Sequence, residues 1–276
     1  MFKKQKYQTK DYLNLIGVPC MVPRTSPFDP GYDPVTFESH LEQSSHLMSS
    51  IKLSMACWQI ANAMATRKKV DACRRYGVPA SSGGGPFEVA GSFETLSEYL
   101  DLCADIGMTR VEAGEGFIDL KLPPSQVVGM AEERGLEVQF ELGKKHGGTF
   151  TADIIGDLID QGQRWLDAGA KNIVIEAREN AQNIGVFGSG GEFDCNAADR
   201  FASAFGLEFA VFEAPNKPSQ FALLNHFGPD VNLSNIRLEE LLRVEIYRRG
   251  LHSDAFQQDK LRPKGPRRLS LVGTGD

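Results

Sequence analysis

The sequence predicts an α/β protein, a single-domain (β/α)8 TIM barrel, and three observations carry that prediction. Eight short β-type runs recur roughly every 30 residues, the length of a βα unit. Amphipathic segments lie between them. The chain has 276 residues, a length that one such barrel fills. A doubly wound open sheet is the competing arrangement of the same alternation.

The first strand is expected at 16–22 (IGVPCMV), after an N-terminal extension over 1–14. That extension is basic but has no apolar stretch behind it, so it does not read as a secretory leader. The next three strands are expected at 50–54 (SIKLS), 77–82 (GVPASS) and 109–113 (TRVEA). The last four fall at 136–142 (LEVQFEL), 171–177 (KNIVIEA), 207–214 (LEFAVFEA) and 230–236 (DVNLSNI). Between them, 93–107 places Leu96, Leu100 and Cys103 near one face and ends in Gly107, a helix stop. Residues 151–170 carry an apolar stripe of Ile154, Ile155, Leu158, Ile159, Trp165 and Leu166, with Thr151 as N-cap. The segment 237–250 (RLEELLRVEIYRRG) is a last amphipathic helix. The barrel is expected to occupy 15–256. The tail 257–276 is polar, basic and contains Pro and Gly, and is expected to lack fixed structure.

Apolar residues make up 41% of the chain, enough for a sizeable core. A formal net charge of −6 argues against nonspecific nucleic-acid binding. No run of about 18 apolar residues exists, so no membrane span is expected. The five cysteines, Cys20, Cys57, Cys73, Cys103 and Cys195, are widely spaced and form no C-x-x-C. They read as reduced, mostly buried thiols of a cytoplasmic protein.

Chemistry in a barrel sits at the C-terminal ends of the strands. Four consecutive expected strands end in a carboxylate: Glu112, Glu141, Glu176 and Glu213. One such glutamate is commonly a structural ion-pair member, but four on adjacent strands about 4.8 Å apart would converge and repel. A hard divalent cation relieves that, and carboxylate oxygens suit Mg²⁺, with Glu112, Glu141 and Glu176 as the expected ligands. Cations accompany them. Lys52 lies in the second run, Lys144 and Lys145 follow the fifth, Arg178 follows Glu176, and Arg24 follows the first. Lys145, beside other charges, is the candidate for proton transfer. Lys144 is either a second anion contact or a partner for a neighbouring carboxylate.

The stretch SSGGGPFE (81–88) would let backbone amides at Gly84 approach a phosphate, although it matches no standard phosphate loop and a plain turn is the blander alternative. In the eighth run, just before a helix, Asn232, Ser234 and Asn235 are candidates for phosphate contact, with Asn235 also fit to cap that helix. The histidines show no metal spacing, and no G-x-S-x-G elbow supports serine catalysis.

The segments VEAGEG, ELGKKHG, IVIEARENAQNIGVF, VFEAPNKPSQFALLNHFGPDVNLSNI and EIYRRGLHSDAF resemble the phosphosulfolactate synthase family, over about residues 52–256. The resemblance implies a (β/α)8 barrel that adds sulfite to phosphoenolpyruvate with Mg²⁺, giving 3-sulfo-2-phospholactate on the way to coenzyme M. Gly143-Lys144-Lys145 matches the family's Gly-Lys-Lys, and the resemblance implies Lys145 as the proton donor. The family's Glu-Gly-Arg-Glu becomes Glu176-Ala177-Arg178-Glu179. Lys52 and Arg178 would hold the anionic reactants at the reacting centre. The departures lie in the first half of the chain. VPRTSPFDPG stands where the family has Asp-Lys-Gly, KLSMACWQ keeps Lys52 but loses glycines, and SSGGG replaces a Tyr-Pro-Gly-Gly-Thr. Gly114-Glu115 stands for Ser-Asp. The metal and proton-donor half is intact, so the enolate-forming lyase class is better supported than sulfite as the nucleophile.

Two other functions fit the same residues. One is a Schiff-base aldolase using Lys145 or Lys52. The other is a non-catalytic, stress-associated relative of the family, against which the retained ELGKK and IEARE segments argue. A homo-oligomer is expected, as barrels often associate.

Overall fold

Eight parallel strands pair in sequence order and close into a barrel. The computed structural model describes residues 8–265. The elements are α1 (Thr9–Leu15), β1 (Thr25–Asp29), α2 (Pro34–Ser44), β2 (Ile51–Leu53), α3 (Cys57–Ile60), α4 (Ala63–Arg75) and β3 (Ala80–Ser82). Then follow α5 (Gly84–Ser92), α6 (Leu96–Ile106), β4 (Arg110–Gly114), α7 (Pro124–Glu132), β5 (Glu137–Leu142) and α8 (Ala152–Asp167). The circuit ends with β6 (Ile173–Ile175), α9 (Cys195–Phe205), β7 (Ala210–Glu213), α10 (Lys217–Phe227), β8 (Asn232–Arg237) and α11 (Leu241–Arg248).

The anticipated helix signals hold. Gly107 ends α6 in the left-handed conformation (φ +95°), and the Thr151 hydroxyl accepts the Ile154 amide at the start of α8. Successive side chains along a strand face opposite sides. Phe140 therefore faces the helical layer, where it stacks on Trp165 with centroids 4.2 Å apart, while its neighbour Glu141 turns inward. Phe212 and Glu213 divide in the same way, Phe212 stacking on Phe227 at 5.2 Å. The apolar core thus lies between sheet and helices.

Three expectations are corrected. The first strand is not at 16–22 but at Thr25–Asp29. In the apolar run only Val18 is buried, and Val22 is 69% exposed. The true strand is polar and contains Pro27, at which its register against β8 shifts. Closure there is reinforced by polar contacts instead. Thr25 donates to Glu245 (2.6 Å), and buried Arg248 donates to Glu245, Thr25 and the carbonyls of Pro229 and Val231. Second, all five thiols are free, but only Cys73 and Cys103 are buried, and Cys20 and Cys195 are exposed. Third, the part of the tail at 257–265 is not uniformly solvated, since Leu261 is buried while Gln257, Asp259, Lys260 and Lys264 are exposed; 266–276, like 1–7 of the N-terminal extension, lie outside the described residues. Among the described residues no helix is long and apolar enough to cross a membrane.

Candidate active site at the C-terminal mouth

The strand ends open into a cavity of about 560 Å³ lined by acidic and basic side chains. Glu112 on β4 lies level with Gln139 on β5, and Gly114 lies level with Glu141, so Glu141 stands one inward-facing step higher. Glu176, just past β6, and Glu213, at the end of β7, complete the set. All four carboxylates are 3% exposed or less.

Glu112 is fully engaged. It accepts Lys52 Nζ at 3.1 and 3.3 Å, the Gly84 amide at 3.0 Å and Gln139 Nε2 at 2.7 Å. The other three converge: one oxygen from each of Glu141, Glu176 and Glu213 lies within 4.8 Å of the others. Lys145 Nζ stands among them, 2.5 Å from Glu141 Oε2 and 2.5 Å from Glu176 Oε2. Local backbone fixes these carboxylates. Arg178 adopts φ +55°, and its amide donates to both Glu176 Oε1 (2.6 Å) and Glu213 Oε2 (3.0 Å). The Ala177 amide adds a second bond to Glu213 Oε2 at 2.9 Å.

Charge in the cluster does not balance. Burial and the neighbouring Glu176 carboxylate hold Glu213 well above the ordinary carboxyl value. Glu176 is raised by burial and by Glu141. Burial alone would raise Glu141 too, but the ammonium groups of Lys145 and Lys52 outweigh it and bring this carboxyl below its usual value. Burial would lower both lysines, and the surrounding glutamates instead push both upward, so each is held protonated. Excess buried negative charge on convergent carboxylate oxygens is the donor set that a hard divalent cation fits.

Lys52, Gly84, Glu112, Glu141, Lys145, Glu176, Arg178 and Asn235 all line this cavity. Four other candidates do not. Arg24 precedes β1 and pairs with Asp230 and Asn232 at the opposite end of the barrel, a consequence of the displaced first strand. Asn232 begins β8 and donates to the Leu207 carbonyl at 2.6 Å. Ser234 lines a lower cavity of about 200 Å³. Lys144 points outward, 54% exposed, onto Asp119 at 2.7 Å. It is therefore a partner for a neighbouring carboxylate. Of the expected metal ligands, Glu112 is replaced by Glu213 in the convergent trio, because Lys52, Gly84 and Gln139 occupy its oxygens.

Roles differ in detail as well. The SSGGGPFE stretch opens a helix, α5, and the Gly84 amide is taken by Glu112. Asn235 caps no helix. It sits in β8 at φ +56° and donates to the Arg178 carbonyl at 2.7 Å. The Arg178 guanidinium donates to the Lys145 carbonyl (2.9 Å) and meets His146 Nδ1 at 3.2 Å, so it braces the Lys145 loop. Two mouth residues escaped the sequence reading. Arg237 at the end of β8 obeys the strand-end rule but lies one residue past the expected run. Glu88, inside α5, has no strand-end signal. It is fully buried, accepts the Phe117 and Ile118 amides on Oε2 (2.7 and 3.2 Å), and among the described residues has no partner on Oε1.

Residues 19–254 match the family model described as (2R)-phospho-3-sulfolactate synthase (ComA). The chain is 31% identical over 229 residues to the phosphosulfolactate synthase of Methanocaldococcus jannaschii, an alignment covering 83% of this chain and 91% of that protein. It is 29% identical over 233 residues to the phosphosulfolactate synthase of Methanothermobacter thermautotrophicus, covering 84% and 90%. Among solved structures, deoxyribose phosphate aldolase from Aeropyrum pernix superposes with a TM-score of 0.52 at 15% identity, over 88% of this chain and 99% of that one. That likeness is one of fold.

Proposed function

Because the chain belongs to the (2R)-phospho-3-sulfolactate synthase family, we propose that it is a Mg²⁺-dependent lyase adding sulfite, or a related nucleophile, to phosphoenolpyruvate. The observation that carries this reading is the convergence of Glu141, Glu176 and Glu213 around a protonated lysine. Those three carboxylates would hold Mg²⁺, which when bound supplies Lewis-acid stabilisation of charge developing on the substrate carboxylate. As the C–S bond forms at the methylene carbon, the π electrons of the substrate move toward its carboxylate. Lys145, kept protonated by its neighbours, delivers a proton to the adjacent carbon and regains one from solvent. Lys52 holds Glu112 and Glu213 in place from below. The N-terminus of α5, with Gly85 and Arg237 at the same mouth, offers the phosphate amide and guanidinium donors.

The test is product formation from phosphoenolpyruvate and sulfite, followed by ³¹P NMR with and without Mg²⁺. Mg²⁺-dependent 2-phospho-3-sulfolactate is the expected result. Calorimetric binding of phosphoenolpyruvate without turnover of sulfite would retain the class and change the nucleophile. Absence of both binding and turnover would favour the non-catalytic alternative. The Schiff-base alternative needs a neutral amine, and Lys52 and Lys145 are both held as ammonium, so borohydride trapping with a carbonyl substrate is expected to yield no adduct.

A further inference from the structure

The Lys145 ammonium and a divalent cation compete for the same carboxylates. Nζ lies on Glu141 Oε2 and Glu176 Oε2, two carboxylates of the convergent trio. An ammonium and a dication crowded onto these two carboxylates repel each other, and the repulsion grows as water is excluded. That repulsion favours displacement of the lysine head as the cation binds, and a buried ammonium so displaced needs another acceptor.

One buried acceptor stands free beside the lysine stem. Among the described residues Glu88 Oε1 has no hydrogen-bond partner although the residue is fully buried, while its Oε2 is anchored by the Phe117 and Ile118 amides. Such an orphaned carboxyl oxygen in a folded interior calls for an explanation. The path between the two groups is open because residue 116 is glycine. A Cβ there would lie 2.7 Å from Lys145 Cγ, 3.0 Å from Lys145 Cε and 3.0 Å from Glu88 Oε1. Lys145 Cε and Glu88 Oε1, each 3.0 Å from that point, therefore lie no more than twice that distance apart. Gly114 leaves the same side clear, its Cβ position lying 3.4 Å from Glu88 Oε1.

We propose that Glu88 is the second station of Lys145: as a divalent cation takes the oxygens of Glu141 and Glu176, the lysine head swings onto Glu88 Oε1. Glu88 is then a positioning residue that keeps the proton donor charged and beside the metal-loaded site. The inference rests on the metal reading given above and adds a defined movement to it.

Mg²⁺ affinity, measured by calorimetry on the full chain, tests it in four proteins: wild type, Glu88→Gln, Lys145→Met and the double variant. With Lys145 present, Glu88→Gln is expected to weaken Mg²⁺ binding about tenfold, the loss of one charge-assisted hydrogen bond. In the Lys145→Met background the same change should move affinity less than about twofold, because no ammonium needs rehousing. A purely structural role, through the anchored Oε2, would weaken both backgrounds alike and overturn the proposal. So would an unchanged affinity in the single variant. A crystal structure of the Mg²⁺-bound wild type gives an independent readout, with Lys145 Nζ expected within hydrogen-bond distance of Glu88 Oε1; a lysine found elsewhere refutes it. If wild type binds no Mg²⁺, the metal reading itself falls, and the proposal with it. If Mg²⁺ binds but Glu88 has no differential effect, only the proposal falls.

Discussion

Lys145 bridges two buried carboxylates, so its removal has two consequences that can be measured apart. Turnover by Lys145→Met should fall about 10²–10⁴-fold, the usual contribution of a positioned general acid. Mg²⁺ binding should tighten, since the competing ammonium is gone. Rate and affinity moving in opposite directions would distinguish a proton donor from a mere ligand-site residue. Glu213 supports a pH prediction. A carboxyl raised in the folded state contributes stability that is fully present below its unfolded value and lost as pH rises through the folded one. Glu141, depressed in the fold, has the opposite sign, its contribution being lost as pH falls through its folded value. Metal-free protein should accordingly lose unfolding free energy as pH rises through the folded value of Glu213, and saturating Mg²⁺ should reduce that loss. Urea titrations across pH, with and without Mg²⁺, read both effects. The strand-end glutamates were legible because each closes an apolar run. Which three converge was not, since that depends on Lys52, Gly84 and Gln139 claiming Glu112 across four elements. Glu88 was illegible for a related reason: a carboxylate inside a helix reads as solvated until the loop that buries it is known.

Among the elements, α8 and β5 show how helix and strand share the work. Trp165 stacks on Phe140, and the next residue of β5 is Glu141. Trp165→Ala should cost about 3–5 kcal/mol in urea unfolding, as deletion of a large buried aromatic does. Turnover of the folded fraction should remain within a few-fold of wild type, because the lost contact faces away from the cavity. Helix signals were the most readable features. Gly107 and Thr151 act locally, and local chemistry survives tertiary context. The first strand was the least readable. Thr25–Asp29 is polar and contains a proline, and it is held by Arg248 and Glu245 from the far end of the chain. The EIYRRG segment, part of the family resemblance, includes both of these structural residues. The misplacement of Arg24 follows directly from that one strand.

At the scale of the whole barrel, the interior differs from an apolar plug. Side chains from Lys52 to Glu213 fill the upper part with charge, and serines line the lower cavity with Arg110 and Gln139. Stability must come mainly from the layer between sheet and helices, and ligands should add measurably to it. Mg²⁺ at 100 times its dissociation constant should raise the unfolding free energy by about 2.7 kcal/mol, read as a shift of the urea midpoint. Fold class was legible from the alternation of seven of the eight runs, whose periodicity reflects the outward, apolar faces of the strands, whereas the first run, 16–22, is not a strand.

The division of each strand into an apolar outer face and a charged inner one has a consequence for inheritance. Phe140 and Glu141 are adjacent in sequence, yet they answer to separate demands. A change on the outer face is felt by the packed layer, and a change on the inner face by the charged network, where loss of one member of a buried ion pair such as Lys52–Glu112 leaves the other uncompensated. A gene encoding such a chain can therefore alter its mouth chemistry most readily by paired changes, which keep the buried charges balanced while the outer layer keeps the barrel folded.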